Sequence, residues 1–238
     1  FFSAPRLIKD FPHDLLIEDF MPPMAATFTP YYARTPVIAS VQWFSAAAWQ
    51  KQYKLPFVWG QKRLIGNYQN FVVLTEQMRT NLQHDLPKAN LCTIPNAVSA
   101  GFLAIEPIYG DYILFVGRVD MRDKGVDLLL RAYAKIPAAI RIPLVIAGHG
   151  WEHEELASFI RSLEITKWVH IVGRKSPKEV LDLYRDCRFA CVPSRVETFG
   201  IVIIEAMAAC KPVVLFDLWP MNEVASAPRT DTWIVPRT

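Results

Sequence analysis

The chain has 238 residues, 52% of them hydrophobic and 21% charged, with 26 basic against 23 acidic side chains and a formal net charge of +3. A chain this long buries roughly 70% of the surface it exposes when unfolded, which allows one large domain or two modest ones and excludes low-complexity, collagen-like and wholly disordered classes. The charge surplus is too small to point to nucleic acid by itself.

Apolar runs of strand length fall at 15–17, 36–41, 71–74, 113–117, 144–147, 169–172, 189–192 and 213–216. Among the later runs lie 126–136, 152–162, 177–186 and 201–209, where apolar residues recur at three and four, as at Leu128, Leu129, Ala132 and Tyr133, and predict helices. Strands apolar on both faces, with helices between them, imply an α/β fold with parallel sheets and βαβ crossovers. The rhythm changes near 102–111. Before it, short elements are crowded with aromatics and prolines; after it, the alternation is regular, and IEPIYG reads as a connection. Two lobes are expected, 1–104 and 105–238.

No apolar run reaches the about 18 residues that a membrane-spanning helix needs. Cys92, Cys187, Cys191 and Cys210 include no close CxxC pair, and FACVP reads as a strand. They are expected to be reduced packing residues in a protein working in the cytoplasm or facing it, with no metal site. The chain opens Phe-Phe-Ser without an initiator Met and stops at VPRT just after an apolar stretch, so a piece of a longer protein is expected.

In open parallel sheets, ligands bind beyond the carboxyl ends of the strands. ILFV is followed there by Gly117, Arg118 and, six residues on, Lys124; LVIA by Gly148-His149-Gly150; HIV by Gly173-Arg174-Lys175; FACV by Pro193-Ser194-Arg195-Val196-Glu197-Thr198-Phe199-Gly200. The glycine turns make room for a ligand against backbone. Arg118 and Lys124 are either phosphate-binding cations or a solvated charge pair. Gly148-His149-Gly150 lacks the third glycine and the first-strand context of a dinucleotide fingerprint. Glu205 sits in the apolar helix IVIIEAMAA, where a carboxylate needs a partner: either a ligand hydroxyl pair such as a ribose diol, or a buried Arg. Glu197 and Glu205 as a glycosidase pair fit poorly, because plain glycoside hydrolysis has no use for two cations at the strand ends; transfer from a sugar diphosphate does.

Four segments in order and spacing, ILFVGRVDMRDKGVDLLLRAYAKI, LVIAGHG, VHIVGRKSPKEVLDLYRDC and FACVPSRVETFGIVIIEAMAACKPVV, resemble retaining glycosyltransferases of family 4, the group 1 domain of GT-B enzymes. Glu197 and Glu205 match that family's E-x7-E motif. The resemblance covers the chain from Tyr112 onward; DLLIEDFMPP, PVIASVQWFSAAAW, FVVLTEQMRTNL and CTIPNAV resemble the later strands of the acceptor-side lobe more loosely. It implies two Rossmann-like lobes with parallel sheets, the first incomplete, lacking its opening strand and Gly-rich loop; the family also continues past Thr238.

It further implies a nucleotide diphosphate sugar donor, UDP-, GDP- or ADP-linked, with no cofactor and no metal. Arg118 and Lys124 would hold the donor diphosphate, Glu197 the transferred sugar beside the backbone of Thr198, Phe199 and Gly200, Glu205 the ribose, and Arg174 the base, with Gly117, Gly148 and Gly150 lining the donor site. This chain departs from the family at Cys210, where Gly is usual, at Gln42, where His is frequent, and at Leu218-Trp219-Pro220-Met221-Asn222-Glu223, where Gly-Gly-x-Pro-Glu is usual.

Residues 43–63 interleave Trp43, Phe44, Trp49, Tyr53, Phe57 and Trp59 with Lys51, Lys54, Lys62 and Arg63. They form a membrane-lying surface suited to a lipid-linked acceptor, a sugar-stacking wall, or packing between lobes; nucleic acid is not expected. The alternative to an enzyme is a non-catalytic or degenerate nucleotide-sugar-binding module.

Overall fold

The computed structural model describes residues 4–20, 28–42, 46–150, 153–226 and 232–235. Trp43, Phe44, Glu152 and the side chain of Trp49 lie outside what is described. The chain divides into two compact units, Phe1–Asn96 and Ala97–Thr238. The segment just after Asn96 packs with the second unit, earlier than the connection read from the sequence, because Phe102 sits edge-on against Tyr184 in that unit's core.

The first unit runs α1 (Ala4–Asp10), β1 (Leu16–Asp19), α2 (Thr29–Tyr32), β2 (Val37–Val41), α3 (Ala46–Tyr53), α4 (Phe57–Ile65), β3 (Asn70–Val73), α5 (Glu76–Asp85) and β4 (Asn90–Thr93). Its sheet has the order β1-β2-β3-β4 and is parallel throughout. In β2, Val37, Ala39 and Val41 face inward, and Phe20, Tyr68 and Phe71 form an aromatic cluster, Phe20 meeting Tyr68 edge-on at 5.2 Å. The sequence reading places helices only among the later strands, whereas this unit has several. They escape a periodicity search because they are short and interrupted: α4 follows Pro56 and contains Gly60. A cap marks α5, where the Thr75 hydroxyl accepts the N–H of Met78 at 3.2 Å.

The second unit runs α6 (Ala100–Leu103), β5 (Ile113–Val116), α7 (Val126–Ala134), β6 (Leu144–Ala147), α8 (His153–Ser162), β7 (Val169–Gly173), α9 (Pro177–Asp186), β8 (Phe189–Val192), α10 (Ile201–Ala208), β9 (Val213–Phe216), α11 (Met221–Ala225) and β10 (Thr232–Val235). Its parallel sheet has the order β10-β9-β8-β5-β6-β7. The chain therefore moves outward from β5 through β6 to β7, crosses back to β8, and moves outward again. Right-handed crossovers put the helices of the two halves on opposite faces.

The alternation of β5 records this division. Ile113 and Phe115 pack with Leu130, Tyr133, Leu156 and Ile160 of α7 and α8, while Leu114 packs with Tyr184, Ile203 and Ala206 of α9 and α10. The buried Lys211 ammonium donates to the carbonyls of Ile108 and Cys187 at 2.6 and 2.7 Å, tying the segment ahead of β5 to the sheet. Cys187 is buried, and burial pushes its thiol up to about 12; the cysteines are unbridged. Among the described residues, no helix is long and apolar enough to cross a membrane.

Leu130 is fully buried between α7 and the sheet. Leu130→Ala is expected to lower unfolding stability by about 2–5 kcal/mol, read from urea denaturation by circular dichroism.

Candidate active site

Because the second sheet is parallel, the loops after β5, β6, β7, β8 and β9 leave from one edge. The turns after β5 and β6 are zipped together by main chain: Gly117 N–H donates to Ala147 at 3.0 Å and Val119 N–H to His149 at 3.2 Å, while Gly148 N–H reaches Gly173 at 2.9 Å. A Cβ on Gly148 would overlap the carbonyl oxygen of Gly117, and one on Gly150 that of Val119. The sequence reading gives these glycines to a ligand. In the structure the atoms that demand glycine are those of the neighbouring turn, and the space left for a ligand lies above it. That space is a cleft of about 380 Å³ with Gly117, Gly148 and His149 in its wall and Arg118, Arg174 and Lys175 at its rim. Lys175 is drawn to Glu179 at 3.2 Å, and Glu179 also closes the capping box of α9 with Ser176. The Ser176 backbone N–H, then its hydroxyl and Lys175, hold Glu179 down to about 2. A second hollow of similar volume, about 380 Å³, lies between α7 and the sheet; its walls, such as Leu128, Ile136, Phe216 and Val235, offer no charged group to orient a ligand.

The loop after β5 and the loop after β8 are held as one piece. The carbonyl of Asp123 accepts the N–H groups of Arg195 and Val196 at 2.7 and 3.2 Å. Arg195 clamps Asp127, in the first turn of α7, through two bonds of 2.6 and 2.8 Å and also donates to the carbonyl of Met121. The guanidinium bonds hold the Asp127 carboxyl below the usual range. Gly125, at φ +65°, starts α7 with its backbone pressed on the carbonyl of Pro193, where any side chain would collide.

This scaffold brings Lys124 and Glu197 together. The Lys124 ammonium donates to Glu197 Oε1 at 2.6 Å, and the Ser194 hydroxyl donates to the same oxygen at 2.9 Å. Glu197 is 7% exposed as a side chain, so its charge is balanced locally. The two residues expected to bind separate parts of a donor are thus partners of each other. Arg118 is half exposed and leans on Asp120 and Asp123 at 3.2 and 3.1 Å, and Asp120 in turn accepts the N–H groups of Arg122 and Asp123.

On α10, Glu205 does not pair with a buried Arg; its protein partner is a tyrosine. Tyr184 of α9, fully buried, donates to Glu205 Oε2 at 3.1 Å, and Oε1 takes no protein hydrogen bond among the described residues. Burial raises the Glu205 pKa from 4.5, with Tyr184 acting the other way. Of the residues between the glutamates, Phe199 is a core side chain, Thr198 is exposed, and Gly200 is packed against Ile203 and Met221. That contact sets the Trp219 loop beside the loop after β8. Trp219 is 41% exposed, and its indole N–H donates to Glu223 at 3.3 Å. Sequence reasoning passed over Ser194, Asp127 and Tyr184. The first stands one helical spacing before Glu197, but nothing short of the fold brings Tyr184 to Glu205. Among the described residues no group of three or more His, Cys, Asp or Glu is placed to hold a metal ion.

The family model for glycosyl transferases group 1 matches residues 108–238. An uncharacterized glycosyltransferase of Methanocaldococcus jannaschii is 34% identical over 125 residues, covering 52% of this chain and 32% of the relative. The O-antigen chain mannosyltransferase B of Escherichia coli is 32% identical over 116 residues, covering 48% of this chain and 30% of its own length. The chain thus spans about a third of these curated relatives. Among solved structures, Anabaena HepE in complex with UDP and glucose superposes with a TM-score of 0.75 at 17% identity, over 97% of this chain and 66% of that one. A sucrose-phosphate synthase from Thermosynechococcus elongatus gives 0.77 at 18% identity, over 98% and 65%. At such identities the likeness is one of fold, and the fold is GT-B, with two Rossmann-like units on parallel sheets.

Arg195→Ala and Asp127→Ala are each expected to destabilise by about 1–3 kcal/mol, and the double variant by less than their sum, since the second change removes a group already orphaned. The contribution of the pair is present above the ordinary aspartate pKa of 3.8 and fades as pH falls through the depressed value, so the Arg195→Ala deficit in urea midpoint shrinks in acid. Glu205 has the opposite sign. Its raised pKa means the native state holds the proton longer, so parent stability falls as pH rises from 4.5 through the raised value. In Glu205→Gln that fall is absent, and its urea midpoint gains on the parent as pH rises from 4.5 through the raised value.

Proposed function

The chain belongs to the glycosyl transferases group 1 family, and on that premise we propose that the whole protein moves a sugar from a nucleotide diphosphate sugar to an acceptor hydroxyl, with retention at the anomeric carbon, as in glycosyltransferase family 4. The observation that carries this reading is the assembly of Arg118, Lys124 and Glu197 at the carboxyl edge of one parallel sheet, on two loops locked by Asp123 and Arg195.

In this mechanism the bond from the anomeric carbon to the diphosphate oxygen breaks while the acceptor oxygen bonds to the same face of that carbon. The acceptor proton passes to the departing phosphate. Charge grows on the leaving oxygens, and preorganised cations there lower the barrier. The Lys124 ammonium has three N–H donors and gives one to Glu197, which leaves two for phosphate. Arg118 engages Asp120 and Asp123 through Nη2, leaving Nη1 and Nε to a diphosphate. These cations do the work of a metal, and none is required. With Oε1 bound by Lys124 and Ser194, Glu197 keeps Oε2 for hydroxyls of the transferred sugar. Glu205 offers Oε1 to a ribose diol while Tyr184 holds Oε2. Arg174, at the cleft rim, is assigned to the base. The acceptor is a sugar or a lipid-linked hydroxyl.

A second reading, a binding module that does not transfer, draws on Trp219-Pro220: proline has no N–H to give a phosphate, where the family's glycine pair has two.

Calorimetric titration with UDP, GDP and ADP tests the donor assignment. One diphosphate is expected to bind saturably, and Arg118→Ala/Lys124→Ala to weaken it by more than about tenfold, since hydrogen bonds to charged groups contribute about 1.5–3 kcal/mol each. A folded chain that binds none of the three would refute the donor site; binding of a diphosphate without transfer of any matching sugar by the longer protein would favour the binding module.

A further inference from the structure

The chain's small net charge conceals a strong asymmetry. Between Asp19 and Glu76 there is no carboxylate side chain, yet the stretch contains Arg34, Lys51, Lys54, Lys62 and Arg63. It holds five of the 26 basic residues and none of the 23 acidic ones, so the remainder of the chain is net acidic. Four of these five cations lie on the hairpin formed by α3 and α4, and all four are exposed.

The hairpin tip is built to present apolar surface among those charges. Lys54, at φ +56°, turns the chain between the helices, and the turn is fixed by Val58 N–H donating to the Gln50 side chain at 3.1 Å. Tyr53 packs edge-on against Phe57 at 6.2 Å. Tyr53, Leu55 and Trp59 are 57, 54 and 69% exposed. Leu55 and Trp59 border one hollow together with Lys54 and Lys62. Two further exposed rings, Phe28 and Tyr31, are tied to the end of α4 by the Tyr31 hydroxyl donating to Asn67 at 2.8 Å.

Exposed Trp, Tyr and Leu cost solubility in water but suit the headgroup layer of a bilayer, where amphipathic rings and snorkelling lysines are stable together. Juxtaposed cations with no competing carboxylate complement anionic headgroups. A sugar-stacking wall would carry carboxylates for the hydroxyls, and this tip has none; the one amide bordering the hollow, Gln50, has its oxygen taken by the Val58 N–H. A single-strand nucleic-acid site would stack bases along a groove, whereas an aliphatic Leu55 at a turn has nothing to stack on.

We propose that the tip of the α3–α4 hairpin docks on an anionic lipid bilayer, with Tyr53, Leu55 and Trp59 entering the headgroup layer and Lys51, Lys54, Lys62 and Arg63 meeting lipid phosphates. The surface stands independently of sugar transfer, since it lies in the other unit from the candidate active site.

Flotation of the chain with phosphatidylglycerol-containing vesicles, beside pure phosphatidylcholine vesicles, tests it. The chain floats with the anionic vesicles, stays behind with the neutral ones, and is released by high salt. Lys54→Glu/Lys62→Glu lowers partitioning by at least about tenfold, in keeping with the per-cation contribution at such surfaces. Leu55→Ser/Trp59→Ser lowers it as well, and both variants keep the parent's circular dichroism and thermal unfolding. Equal flotation with neutral vesicles, absence of flotation, or parental binding by either folded variant overturns the proposal. So does an oligonucleotide that binds as tightly as the anionic vesicles, which would make the surface a nucleic-acid one. Flotation alongside failure of all nucleotide titrations would sink the donor reading and leave this one standing.

Discussion

One main-chain oxygen organises the edge of the second unit that holds the candidate site. The carbonyl of Asp123 receives the N–H groups of Arg195 and Val196, and through it the loop after β5 and the loop after β8 become a single body. Arg195 then extends the link to α7 by clamping Asp127, and Gly125 lets the two backbones touch. Backbone bonds have few soft degrees of freedom, so the positions of Lys124 and Glu197 follow from the fold rather than from their own flexible side chains.

The same scaffold explains why a nearly buried glutamate is tolerated. Glu197 is neutralised by Lys124 and hydrogen-bonded by Ser194, so its charge is balanced by the protein itself. An anionic ligand reaching Lys124 then competes with a carboxylate already in place. Affinity at this edge reflects a difference between two attractions, one internal and one external.

Much of this was legible in the chain because parallel strands buried on both faces announce themselves as short apolar runs, and β5, β6, β7, β8 and β9 fall where those runs do. The loops worth reading follow from that placement, and it singles out Arg118, Lys124, Arg174 and Glu197 as candidates; Glu205 stands out instead as a carboxylate in the apolar helix α10. Other parts obey different physics. β10, TWIV, is an edge strand with Trp233, Ile234 and Val235 exposed, so it lacks the burial signature used elsewhere. α4 is interrupted by Gly60, and α2 is a single turn beginning at Thr29-Pro30. Tyr184 reads as a core residue on the face of α9; that its hydroxyl ends at Glu205 depends on how α9 packs across α10. The pairing of Lys124 with Glu197 spans two loops far apart in sequence, and residue types alone cannot disclose it.

The cleft over the turns after β5 and β6 is lined by Gly117 and Gly148, bonded to their neighbours and without side chains of their own, together with Val116, Ala147, His149 and Val180. The glycines and Ala147 have no rotamers to immobilise, and the β-branched valines have few. The ordering entropy of any occupant's site is therefore concentrated in Arg118, Arg174 and Lys175 at the rim, the long side chains whose freedom is costliest to remove. Ligands that leave those three mobile and ligands that pin them would differ in enthalpy and entropy far more than in shape of fit, with the heat of binding varying at the rim while the rest of the lining contributes a constant.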